Sequence, residues 1–186
     1  MTGSTPVASE LVLGGQRSGK SRRAESLAEA WLAADAANRA AFVVTAEPGD
    51  SEMQARIDRH RADRAERLPR ALTVEAPKAL ARAIARYSDA RTLLVVDCLT
   101  LWLANLYPLD ENAIGAETEE LACAVAAAPG PVVLVSNEIG LGVVPMGREV
   151  RAYVDALGRI NQRLAAVCAR VTLVAAGLPL ALKGNL

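Results

Sequence analysis

Eight residues constrain this chain more than any others: Gly14, Gly15, Gln16, Arg17, Ser18, Gly19, Lys20 and Ser21 spell G-x-x-x-x-G-K-S. They stand between the apolar run Leu11-Val12-Leu13 and a helical pattern that starts near Lys20, the strand-loop-helix setting in which this spacing binds phosphate. Gly14 and Gly19 let the backbone turn with positive φ and approach an anion closely, so that amide N–H groups converge at a helix N-terminus. Lys20 adds a full charge for the β and γ phosphates of a nucleoside triphosphate, and the Ser21 hydroxyl is a ligand for Mg²⁺. Gln16 and Arg17 stand at the rim, either as further contacts or as solvated loop side chains.

The rest of the chain alternates between apolar runs and helical patterns. Apolar strands are expected at Glu10 to Leu13, Ala41 to Thr45, Thr92 to Asp97, Val132 to Val135 and Val171 to Ala175, with a short one at Leu72 to Glu75. Helices are expected from Gly19 to Ala37, from Asp50 or Ser51 to Arg67, from Pro77 to Tyr87, from Thr100, from Ile114 to Ala128 and from Glu149 to Ala169. Continuous apolar strands separated by helices imply an α/β fold, a doubly wound, mainly parallel sheet, in one domain over residues 1–186 with 1–9 as a flexible lead-in. Trp31 and Trp102 fall on apolar helical stripes and read as core.

Lys plus Arg equals Asp plus Glu, 21 each, so net charge points neither to nucleic acid nor to an acidic membrane. The longest uncharged stretch, Leu121 to Asn137, is broken by Pro129-Gly130-Pro131 and is no membrane span. Cys98, Cys123 and Cys168 are widely spaced and odd in number. They read as buried small hydrophobes in a reducing, cytoplasmic protein rather than a disulfide or zinc framework.

Two further groups bear on chemistry. Asp97 ends a wholly apolar strand, the position from which a carboxylate reaches Mg²⁺ beside a phosphate loop, although it also suits a helix cap. His60 is the only imidazole, a nucleophile at neutral pH when uncharged. Arg56, Arg59, Arg61 and Arg64 surround it in sequence, either gathering phosphates or forming a solvated helix face. The segment Ser136 to Pro145 follows a strand end, where open α/β sheets bind ligands.

The runs G-G-Q-R-S-G-K-S-R-R-A-E, T-A-E-P at 45–48, E-M-Q-A-R-I-D-R-H-R at 52–61, T-V-E-A-P at 73–77, V-V-D-C-L-T at 95–100, S-N-E-I-G-L-G-V-V-P at 136–145 and G-R-I-N-Q-R-L-A at 158–165 together resemble the bifunctional adenosylcobinamide kinase and adenosylcobinamide-phosphate guanylyltransferase family. The likeness extends from about Leu11 to Gly177. It implies a P-loop NTPase of RecA-like architecture that phosphorylates adenosylcobinamide with GTP or ATP. It then implies transfer of GMP from GTP to the resulting phosphate, with Mg²⁺, through a guanylyl-histidine for which His60 is the matching residue. Nucleotide contacts carried over from the family fall on Gly14 to Ser21, Thr45, Ala46, Glu47, Arg61, Ala62, Asp63, Arg64, Glu75 and Asp97, with Ser21 and Asp97 toward the metal, and a homo-oligomer is implied. Family members usually have Pro and Trp between the histidine and T-x-E, whereas residues 64–71 here make a slightly longer connection without Trp. Because the histidine helix is an element separate from the loop, His60 is expected to swing toward it. On the residues alone, a simple small-molecule kinase with no covalent step and a GTP-dependent switch remain open.

Overall fold

Each apolar run becomes a strand in a single sheet of the computed structural model, which describes residues 9–47, 49, 51–107 and 109–186; the side chains of Glu52, Met53, Arg56, His60 and Asp63 lie outside the described set. The lead-in expected over 1–9 falls outside it except for Ser9, as does Asp50, one of the two candidate caps. Strands β1 (Glu10–Gly14), β2 (Arg39–Val44), β3 (Leu72–Glu75), β4 (Thr92–Asp97), β5 (Val132–Val135) and β6 (Arg170–Ala175) run parallel. A seventh, β7 (Leu178–Lys183), closes one edge antiparallel to β6, and the order is β3-β2-β4-β5-β1-β6-β7.

Helices cover both faces: α1 (Lys20–Ala34), α2 (Ser51–Arg67), α3 (Leu80–Tyr87), α4 (Leu99–Leu106), α5 (Glu111–Ala127) and α6 (Arg148–Val167). Side chains alternate along every strand. Leu11 and Leu13 therefore join Leu80, Trp102, Leu121 and Leu157 in one core cluster, while Val12 joins Phe42, Ala24 and Ala28 in the other. Among the described residues no helix is long and apolar enough to cross a membrane.

Several expectations are corrected. β7 escaped the sequence reading because its leucines face outward: Leu178, Leu180 and Leu182 are all exposed. Its signal was the Ala176-Gly177 pair, with φ of 51° and 79°, the two-residue hairpin turn whose twist suits antiparallel strands. Helix α3 begins at Leu80, not at Pro77, because the Pro77 carbonyl is taken by Asn105 Nδ2 at 3.0 Å. Helix α5 begins a turn early, at Glu111, because Asp110 caps it by accepting from the Ala113 N–H at 2.9 Å. Trp31 is only partly buried, its Nε1 donating to the Arg39 and Arg91 carbonyls at 3.0 and 3.3 Å. Cys123 is exposed and Cys98 half-buried; only Cys168 is buried, and all three are free.

At the N-terminal end of β1, Glu10 is fully buried between Arg23 (2.8 Å), Arg170 (3.1 Å) and the Thr172 hydroxyl (2.9 Å). Removing one member of such a cluster leaves the others desolvated and unpaired. Glu10→Ala is expected to lower stability by about 3 kcal/mol, read as a fall in the urea midpoint at unchanged m-value. A loss below about 1 kcal/mol would mean that solvent already satisfies the two arginines.

Candidate functional site

The crevice forms because β1, β2, β4 and β5 all end on the same side of the sheet. The phosphate loop leaves β1 there and is held from two sides. The Glu138 N–H donates to the Gly14 carbonyl at 3.0 Å, and the Gly177 N–H of the β6–β7 turn donates to the Ser18 carbonyl at 2.8 Å. Gly19, at φ 104°, sits so near that turn that a Cβ would lie 3.2 Å from Gly177 Cα. A Cβ on Gly14 would collide with the Val174 carbonyl oxygen, so neither glycine of the motif is replaceable without moving the hairpin. The Lys20 ammonium is buried and donates to the Gly15 carbonyl at 2.7 Å, folding its charge back over the loop.

A cleft of about 530 Å³ lies above the loop, walled by Gln16 to Arg22 on one side and by Asp97, Cys98 and Asn137 on the other. Ala55 and Arg59 of α2 complete it. Arg59 was not among the contacts carried over from the family, but it belongs to the arginine cluster for which phosphate gathering was one of two readings. Asn137 belongs to the segment 136–145 that follows a strand end, where ligands were expected, but nothing in the sequence singled that residue out for a role of its own.

A smaller pocket of about 90 Å³ adjoins the cleft, and Ser21, Asp97 and Cys98 line both. Ala46, Ile57, Arg61, Arg64 and Glu75 supply its other walls. Arg61 pairs with Glu75 at 2.6 Å. Arg64, far from being a solvated charge, is 6% exposed, lies 4.4 Å over the Phe42 ring and stands 3.7 Å from Asp97 Oδ2. Burial draws its pKa down while Asp97 opposes that, and its Nε has no partner. A buried guanidinium with an unmet donor is prepared for an acceptor. The connection at 64–71, though lacking the family's Trp, is anchored by buried Leu68 and by Arg70 donating to the Ala36 carbonyl at 3.1 Å.

Thr45 is fully buried; its hydroxyl donates to the Cys98 carbonyl at 2.8 Å and accepts from the Cys98 N–H at 2.9 Å. It therefore holds the ends of β2 and β4 together, and its hydroxyl does not point to a ligand. Glu47 and Ala62 are exposed and line neither cavity; the Asp63 side chain lies outside the described set. The Cys98 thiol is pushed up by burial first and by Asp97 next, which keeps it protonated and weakly nucleophilic.

His60 occupies α2 three residues after Ile57 and four before Arg64, both of which line the smaller pocket. Its side chain, and with it the expected swing toward the loop, lies outside the described set. Ser21 and Asp97 offer a hydroxyl and a carboxylate on one shared wall, hard oxygen donors suited to Mg²⁺ that keeps water and phosphate ligands.

A family model described as cobinamide kinase / cobinamide phosphate guanyltransferase matches residues 10–182. The bifunctional adenosylcobalamin biosynthesis protein CobP of Pseudomonas aeruginosa is 46% identical over 177 residues, 95% of this chain and 98% of that protein. CobU of Escherichia coli, bearing the same description, is 36% identical over 187 residues, 93% of this chain and 98% of its own. Among solved structures, the flagellar accessory protein FlaH of Methanocaldococcus jannaschii superposes with a TM-score of 0.55 at 13% identity, covering 99% of this chain and 82% of that one. A KaiC-like protein of Pyrococcus horikoshii gives 0.53 at 15% identity, covering 92% and 72%. At these identities the likeness concerns the fold alone, the α/β phosphate-loop architecture described above.

Proposed function

The chain belongs to the cobinamide kinase / cobinamide phosphate guanyltransferase family, and on that premise we propose that one phosphate loop serves two successive transfers, the second through a guanylyl group on His60. The observation that carries the reading is that α2, the helix holding the chain's only imidazole, contributes Arg59 to the phosphate-loop cleft and Arg61 and Arg64 to the pocket beside it.

In the first step the hydroxyl oxygen of the adenosylcobinamide side arm attacks the γ phosphorus of a nucleoside triphosphate. The β–γ bridging P–O bond breaks, the diphosphate leaves, and the hydroxyl proton is lost to solvent. Lys20 and the amides of residues 15–20 hold the phosphate oxygens in line, and positioning with charge neutralisation supplies most of the rate. In the second step a neutral His60 nitrogen attacks the α phosphorus of GTP and pyrophosphate departs. An oxygen of the cobinamide phosphate then displaces the imidazole, breaking the P–N bond and giving adenosylcobinamide-GDP. Arg59, Arg61 and Arg64 neutralise the phosphates drawn into the cleft and the pocket beside α2.

Ser21 and Asp97 would hold Mg²⁺, which when bound neutralises charge on the phosphate oxygens. Asp97→Asn is expected to raise the Mg²⁺ concentration for half-maximal rate by about tenfold in both steps. An unchanged requirement in magnesium titrations would remove Asp97 from the metal. Three free cysteines agree with a reducing, cytoplasmic setting, and a homo-oligomer is part of the reading.

GTP labelled at the α phosphate tests the covalent step. Protein-bound label that is lost in acid and released by cobinamide phosphate supports it. Turnover of GTP to adenosylcobinamide-GDP with no label retained under any quench would replace it with direct transfer.

A further inference from the structure

A cavity of about 860 Å³ opens between the loop at 138–145, α6 and β7, separate from both nucleotide pockets. Aliphatic side chains rim it, and some stand almost wholly in solvent: Leu141 is 80% and Val143 96% exposed. Clustered apolar exposure of this kind marks a surface that something covers.

The cations of this cavity are already engaged. Arg151 Nη1 donates to the Pro145 carbonyl at 2.9 Å and to the Met146 carbonyl, Arg159 pairs with Glu111 at 2.9 Å, and Lys183 Nζ donates to the Cys168 carbonyl at 2.7 Å. A second nucleotide therefore finds no ready anion site. One polar atom is unmet. Asn161 is 6% exposed, and its Nδ2 donates to the Asn137 carbonyl at 3.1 Å, which fixes the other atom of the amide as oxygen. That oxygen, Oδ1, is buried with no partner and calls for a neutral donor from a ligand.

We propose that this cavity takes the corrin ring of the cobinamide acceptor, with Asn161 Oδ1 accepting from one of the ring's peripheral carboxamides; this rests on the acceptor assigned above. A broad apolar ring edged with primary amides matches aliphatic walls with an orphaned amide acceptor, as it does not match a cationic phosphate cradle. The cavity also lies next to the chemistry. Asn137 lines the phosphate-loop cleft and Glu138 lines this cavity, so one peptide unit separates them. That unit is fixed by the Glu138 N–H on Gly14 and by the Asn137 N–H on Thr100 Oγ1 at 3.1 Å. A flexible hydroxyl-bearing arm leaving the ring crosses this short wall to reach the γ phosphate.

Dicyanocobinamide, which carries its own visible chromophore, is the probe. Equilibrium dialysis with wild type, Leu141→Asp and Asn161→Ala is run beside titration with a fluorescent N-methylanthraniloyl GDP. Both variants are expected to bind dicyanocobinamide roughly tenfold more weakly or worse, with nucleotide affinity within about twofold of wild type. Leu141 is an exposed loop residue, so its variant keeps the test open should Asn161→Ala fail to fold. Unchanged cobinamide affinity in Leu141→Asp overturns the proposal. So does an altered sedimentation coefficient with cobinamide binding intact, which assigns the face to a second copy of the chain. If wild type binds the nucleotide but no cobinamide, the acceptor assignment itself fails, and the cavity's role falls with it.

Discussion

Lys20→Met abolishes both transfers to within background: each rate falls by about 10³, while the thermal midpoint barely moves. The side chains are similar in length, and the buried stem of Lys20 keeps its packing in the variant. What disappears is the ammonium, which donates to the Gly15 carbonyl at 2.7 Å and so lies over the loop. That full charge stands where negative charge redistributes in each transition state, inside a walled cleft where it is poorly screened. Both half-reactions suffer because both draw a triphosphate tail into the same loop. Steady-state rates for cobinamide phosphorylation and for guanylyl transfer, each with saturating acceptor, are the measurement. If either one stays within about tenfold of wild type, the loop serves only the other, and the single-site account is wrong.

The loop was legible because its instructions are local. Gly14 and Gly19 answer to steric demands from the β6–β7 hairpin, but their spacing to Lys20 and Ser21 is contained in eight consecutive residues. Five of the six parallel strands were legible for a related reason: burial on both faces leaves an apolar run that few other structures require, whereas β3 is an exposed edge strand with only Leu72 and Val74 to mark it. β7 carries a similar apolar run, Leu178 to Leu182, but Pro179 within it argues against a central strand, and the fold places it at an edge with its leucines outward. Yet its turn braces the Ser18 carbonyl, so the missed strand supports the recognised motif.

What stayed hidden arises from contacts across the chain. Arg64 reads in sequence as one of four similar charges, and only the fold stacks it on Phe42 beside Asp97. Thr45 reads in sequence as the last residue of a strand and, by resemblance, a nucleotide contact, and only the fold shows its hydroxyl engaged twice by Cys98. Asn161 lies in a helix whose apolar stripe gives no warning that one amide oxygen faces a cavity unpaired.

His60→Ala separates the two reactions that Lys20→Met joins. Guanylyl transfer is expected to fall by about 10³ or more, and phosphorylation of cobinamide to stay within about threefold of wild type. The first expectation follows from chemistry: without an imidazole, the cobinamide phosphate, itself an anion, has to attack the α phosphorus of a tetra-anionic triphosphate directly. No other group replaces it. His60 is the only imidazole in the sequence, and the Cys98 thiol on the wall of both pockets is held protonated by burial and by Asp97. The second expectation follows from position. Apart from Arg64, the described side chains of α2 are exposed or half-buried, and the helix ends at an anchor, Leu68, that the substitution leaves alone. Loss of the imidazole therefore leaves the loop, Lys20 and Asp97 where they were. Single-turnover assays of each step, with retention of α-label measured in parallel, read both halves of the prediction. Equal loss of the two activities makes His60 a support for the shared site, and loss of neither returns the chain to a kinase with no covalent step.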